Sequence, residues 1–135
     1  MPIRTSLPLD TLIDRWFAIG LLLFGLSHAL YPAKWATAIL PLRAHEHGGL
    51  WLGTFNLPIG LIVVLTHNIW VWDIPVIVTV MGWVMTLKGA IYLLLPGSQK
   101  LVMPEGTRME RGFRIVGIVA IALGALLAYD SFYRR

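Results

Sequence analysis

Four apolar runs, separated by short polar stretches, set the pattern of this chain: residues 16–31, 49–66, 74–95 and 113–129. None alternates polar and apolar positions as a membrane β-strand does over about ten residues. Each approaches the ~20 apolar residues that carry a helix across ~30 Å of hydrocarbon. The pattern predicts four transmembrane helices, the first short, so that it stands nearly upright or begins a turn earlier. Proline punctuates them. Pro32 and Pro96 are natural stops, because proline lacks an N–H and clashes with the preceding turn. Pro75 falls in the first turn of the third span, where proline is tolerated. Pro58 lies inside the second span and is expected to kink it. The first span reads as retained rather than as a cleaved signal: Asp10 and Asp14 precede it and no small-x-small site follows.

A repeat underlies the four runs. Shifted by 64 positions, Gly25 meets Gly89, Gly48 meets Gly112, Gly53 meets Gly117 and Gly60 meets Gly124, while Pro32 meets Pro96 and Glu46 meets Glu110. No gap is needed. Residues 16–69 and 80–133 hold 6 and 7 glycines, for which chance gives less than one coincidence, and four occur. The expectation is a single transmembrane domain over 1–135, an all-α four-helix bundle of two tandem helical hairpins, spans 1–2 and spans 3–4, related by duplication. An even number of spans per repeat places a pseudo-two-fold axis along the membrane normal. Gly53 and Gly60, Gly82 and Gly89, and Gly117 and Gly124 each lie seven residues apart, on one helix face. Small residues let helix backbones approach where lipid supplies no hydrophobic force. They are read as packing seams.

Composition narrows the class. The chain is 57% hydrophobic and 13% charged with mean hydropathy +0.73, where soluble domains carry about 25% charged residues. That excludes disorder and argues against a water-soluble fold. With no cysteine, disulfides, thiol nucleophiles, thiolate zinc sites and iron–sulfur clusters are excluded. The net charge of +4 is scattered, which suits anionic headgroups and not nucleic acid. Loops 32–48 and 96–112 share one side, side B, with Lys34, Arg43, Lys100, Arg108, Arg111 and Arg114. Side A has Arg4, Arg15, Arg134 and Arg135, and its 67–73 loop has no Lys or Arg. The positive-inside rule places side B in the cytoplasm. Trp70 and Trp72 suit an aromatic belt on side A, and Trp35 one on side B.

Ionisable groups inside a span cost ~2.5–3.5 kcal/mol on insertion scales and are functional candidates by default. Lys88 is the foremost, with snorkelling as its plain alternative. Asn56, Tyr92 and Glu46 lie on the same side and are candidate partners in a substrate or proton site, with Glu110 a second acid for Lys88. His28, His45 and His47 are candidate metal or haem ligands, since neutral imidazole suits zinc, copper and haem iron. The spacing of His45 and His47 is not that of a zinc helix. His67 falls on side A and cannot share their ligand shell. Met81 and Met85 read as packing. Ser27 beside His28 lacks an acid on its side, so no catalytic triad is supported, and no P-loop or dinucleotide fingerprint is present.

The opening Arg15, the span with Gly20 and Gly25, then His28 and Pro32, resembles the start of DoxX-type proteins, small four-helix bacterial membrane proteins, some linked to quinone-dependent sulfur oxidation. HNIW (67–70) and GWVMTLKG (82–89) are similar to stretches of small bacterial inner-membrane proteins. The resemblance implies a multi-pass protein of the bacterial inner membrane and carries no catalytic residue over. The leading expectation is a non-catalytic accessory or assembly subunit acting through helix packing, as a homodimer or within a larger membrane complex. A small dimeric transporter or channel using Lys88 is the alternative, and a haem- or quinone-linked redox subunit the third. No cofactor is expected under the first.

Overall fold

The structure is a computed structural model and describes residues 8–134. Every regular element among them is helical: α1 (Leu9–Leu30), α2 (Pro32–Ala44), α3 (Gly48–Thr66), α4 (Val76–Leu94), α5 (Gln99–Val102) and α6 (Gly106–Tyr129), with a π-helical turn (Asp130–Arg134) at the end. Three helices, namely α3, α4 and α6 with its π turn, are long and apolar enough to cross a membrane. A fourth crossing exists if α1 and α2 count as one bent span.

The boundaries differ from the hydropathy pattern in two informative places. The first helix begins at Leu9, well before residue 16. Asp14 and Arg15 lower the local hydropathy there, but Thr11, Asp14, Phe17 and Ala18 form one buried stripe at helical spacing. A carboxylate on an inward stripe needs a partner, not an apolar neighbourhood. The second difference is the stretch 32–48, expected as a loop. It holds α2, a 13-residue helix bent 98° away from α1. Pro32 ends α1 because it cannot donate into it, and it opens α2, where its fixed φ suits the first helical turn. The polar residues Lys34, Thr37 and Arg43 hide α2 from any search for apolar runs. Pro75 caps α4 one residue outside it, and Pro58 lies within α3, which is helical throughout.

Pairing also departs from the tandem hairpins. The close pairs are α1 with α6 and α3 with α4, while α1 barely touches α3, the second span of its own hairpin. Glycine explains the choice. A Cβ on Gly117 would stand 2.7 Å from the Gly25 carbonyl, and one on Gly53 2.9 Å from the Gly89 carbonyl. A Cβ on Gly60 would meet the Thr86 nitrogen at 2.5 Å, and one on Gly124 the Leu22 nitrogen at 3.0 Å. Gly82 lies so close against Val63 that a Cβ there would collide with it. Only glycine allows backbones this close. These contacts correspond in pairs at the 64-residue offset: Gly25 against Gly117 becomes Gly89 against Gly53, and Leu22 against Gly124 becomes Thr86 against Gly60.

The two pairs meet in one apolar cluster of Phe17, Ala18, Val63, Val78 and Leu127. It lies toward side A and draws a residue from each of α1, α3, α4 and α6. On side B, α2 crosses over α6 and α3. Elsewhere the apolar side chains face outward: Leu23, Phe55 and Leu65 are 65%, 66% and 79% exposed. Thr54, Asn56, Thr66 and Thr86 each donate to the carbonyl one turn back on their own helix. Such back-bonding satisfies polar side chains where no water is at hand.

Candidate functional site

Most of the fully buried polar groups lie at the side A end of the helices, with Gln99 the exception on side B. Helical spacing turns Asp14 inward from α1, and its carboxylate is fully buried. His67 caps the C-terminus of α3, its N–H bonding the Val63 carbonyl at 2.7 Å, and its ring is also fully buried. The ring Nε2 stands 2.8 Å from Asp14 Oδ1. Thr79, one turn into α4, completes the group. Its hydroxyl accepts from the Ile69 N–H at 3.0 Å, donates to the His67 carbonyl at 3.1 Å and lies 3.2 Å from His67 Nδ1. A hydroxyl has one hydrogen. With that hydrogen on the carbonyl, Nδ1 is the donor toward Thr79. A proton between Nε2 and the carboxylate, on either atom, then makes the contact with Asp14 attractive. Asp14 comes from one helix pair and His67 and Thr79 from the other, so the group bridges the two.

A second ionic group adjoins the same end. Arg134 Nε stands 2.8 Å from the buried Asp130 Oδ1, and the guanidinium also pairs with Asp73 in the α3–α4 loop. Arg15 donates from Nε to the Ser131 carbonyl at 3.0 Å and lies over the Phe132 ring. Asn68 Oδ1 accepts from the indoles of Trp70 and Trp83. The α3–α4 loop is thereby tied to α1, α4 and the C-terminal turn. The offset of 64 reaches here as well: Arg15 on the Ser131 carbonyl corresponds to Thr79 on the His67 carbonyl. That correspondence is visible only in the structure, because the paired positions hold different residue types. Asp14, His67 and Asp130 are far apart in the chain, and each falls at an edge where an apolar run ends.

The residues singled out on side B are placed separately. His28 is engaged in an aromatic group, its ring stacked on Trp35 at 4.3 Å between centroids and 5.2 Å from Phe113, with Nδ1 2.6 Å from the Phe24 carbonyl. Trp35 in turn donates to Ser27. His45 and His47 are neighbours, rings 5.5 Å apart, and His45 Nδ1 accepts the His47 N–H. Among the described residues no three His, Asp or Glu side chains are grouped to hold a metal ion. Asn56 bonds Leu52 on its own helix. Lys88 is exposed, its Nζ 5.7 Å from the Tyr92 ring. Glu46 is exposed, and Glu110 lies 3.9 Å from Arg114; among the described residues neither pairs with Lys88. Tyr92 is buried with its hydroxyl unpartnered among the described residues.

Two side B residues have roles that the sequence reading did not assign. Gln99 is buried and donates to the His45 carbonyl, and Arg43 donates to the carbonyls of Met103 and Lys100 while pairing with Glu105 at 2.6 Å. Both pin the 96–105 segment to α2 and the α2–α3 link, a role that only the three-dimensional path of α2 reveals. Comparison with protein-family models, with curated proteins and with solved structures finds no match to this chain.

Proposed function

We propose that the chain is a four-span integral membrane protein, built of two halves related by duplication, that acts as a non-catalytic accessory or assembly subunit through helix packing. One observation carries this reading: apart from the Tyr92 hydroxyl and the exposed Lys88, the polar groups along the spans are used by the fold itself, and the surface left over is largely apolar helix. Asn56 and the threonines bond their own helices, and the six seam glycines serve contacts inside the molecule. Outward surface of that kind suits lipid and the helices of another subunit, with a second copy as the first candidate. Duplication is supported by contacts that recur at one offset, including the side chain on a backbone carbonyl at the side A end. We place the protein in the bacterial inner membrane with 32–48 and 96–112 in the cytoplasm, in keeping with its resemblance to DoxX-type proteins and with the charge bias.

A second reading, a small dimeric transporter, draws on Lys88. It lies at the exposed edge of the stripe Val78, Met81, Met85 and Tyr92, whose side A end joins the common core. One preparation tests both. The protein carrying Val71→Cys, labelled with one dye, is reconstituted in vesicles at successive dilutions into lipid, with a pH-sensitive dye inside. The assembly reading expects two-step photobleaching that persists on dilution, without ion-gradient-driven pH change. Single-step bleaching throughout would contradict the dimer. Flux lost in Lys88→Met would replace the first reading with the second.

A further inference from the structure

Two polar side chains along the spans are left over by the fold, and they are neighbours. Lys88 is exposed and has no ionic partner among the described residues. Tyr92, one turn on, is buried, and its hydroxyl has no hydrogen-bond partner among them. Lys88 Nζ stands 5.7 Å from the Tyr92 ring. Lys88 lies six residues inside the end of α4, about 9 Å at a rise of ~1.5 Å per residue. The exposed face around it is apolar, with Val80, Val84, Leu87 and Ile91. The offset of 64 shows what is missing there. Lys88 and Tyr92 correspond to Phe24 and His28, which Trp35 of α2 covers at 6.3 and 4.3 Å between ring centroids. The residue corresponding to Trp35 is Gln99, in a helix of 4 residues instead of 13, and it turns to the His45 carbonyl. The second half thus leaves bare a place that the first half covers with its own chain, and sets a cation in it. A second copy in the same orientation brings no matching anion. Of the seven carboxylates, Asp10, Asp14, Asp73 and Asp130 belong to the side A end, and Glu105 pairs with Arg43. Gly89, beside Lys88, packs on Gly53, and Gly117 holds the equivalent place on α6. Glu46 and Glu110, the other two, each precede those glycines by seven residues, which sets them about 10 Å nearer side B.

We propose that this face of α4 docks a transmembrane helix of a different protein, one that carries an Asp or Glu at membrane depth, and that this carboxylate pairs with Lys88. The inference rests on the assembly reading and names the partner for one face. A lone ammonium within a span is costly, and a carboxylate beside it offsets that cost. Energy transfer in vesicles tests it. The full chain carrying Val71→Cys and a donor dye is mixed with an acceptor-labelled, single-span leucine peptide. The peptide bears one Glu six residues from its end, or Gln at the same place. The Glu peptide should associate roughly tenfold more tightly than its Gln twin. Lys88→Met should abolish that preference, Lys88→Arg should keep it, and Lys88→Glu should transfer it to a Lys twin. Equal association of the Glu and Gln peptides, as expected of a lysine that only snorkels, would overturn the proposal. So would a preference that survives Lys88→Met. Either result leaves the assembly reading standing, because photobleaching of the labelled chain alone tests self-association. Palmitate is added in a separate arm. Lys88-dependent binding of palmitate, with no preference between the peptides, would assign the carboxylate to a lipid and overturn the docking face.

Discussion

At the scale of single residues, the side A end turns on Asp14, His67 and Thr79. A charge buried this deeply persists only when paired. Breaking such a buried pair by changing one member costs about 3–5 kcal/mol. Asp14→Asn and His67→Gln should therefore each lower stability markedly in detergent unfolding, and the double variant should be little worse than either single one. Losses that simply add would show that the two residues do not act on each other. Little of this was legible in the sequence. His67 and Asp14 stand at the edges of apolar runs, where polar residues are ordinary, and only the fold brings α1 beside the end of α3. Lys88 drew attention because it interrupts a run, yet it faces outward, where its long stem can carry the ammonium toward the interface.

At the scale of elements, glycine spacing was informative because it reports a local demand: a seven-residue repeat puts a bare backbone on one face. What spacing alone does not carry is the partner. Gly53 and Gly60 predict a seam on α3, and the fold answers it with α4; the seam on α6 is answered by α1. The contrast between glycines makes this testable. A Cβ on Gly89 would stand 2.6 Å from the Leu57 nitrogen, whereas one on Gly20 meets nothing within 4 Å. Gly89→Ala should cost about 1–3 kcal/mol, the range for forcing extra volume into a packed contact. Gly20→Ala should be neutral or slightly stabilising, since alanine holds a helix better than glycine. Equal effects of the two in the same unfolding assay would contradict the seam. The helix α2 was missed for a complementary reason. Its residues are of mixed polarity, and a hydropathy pattern finds spans rather than helices.

For the whole molecule, the helical class and the apolar spans were readable because a hydrocarbon solvent constrains composition so strongly. The way the spans pair was not, because lipid is indifferent to which apolar face is covered. Close approach at glycine and the few buried polar groups decide it instead. The account that results is of two helix pairs joined in one core toward side A, fastened there by Asp14–His67 and Arg134–Asp73, and crossed on side B by α2. Its central claim is that the spans carry these two ends to opposite faces of a bilayer. The absence of cysteine from the chain makes this directly measurable. Single substitutions Val71→Cys in the α3–α4 loop and Val102→Cys in α5, both exposed positions, are treated in intact cells with a membrane-impermeant maleimide. Val71→Cys should react at once, and Val102→Cys only after the membrane is permeabilised. Labelling of both from the same face would contradict the account.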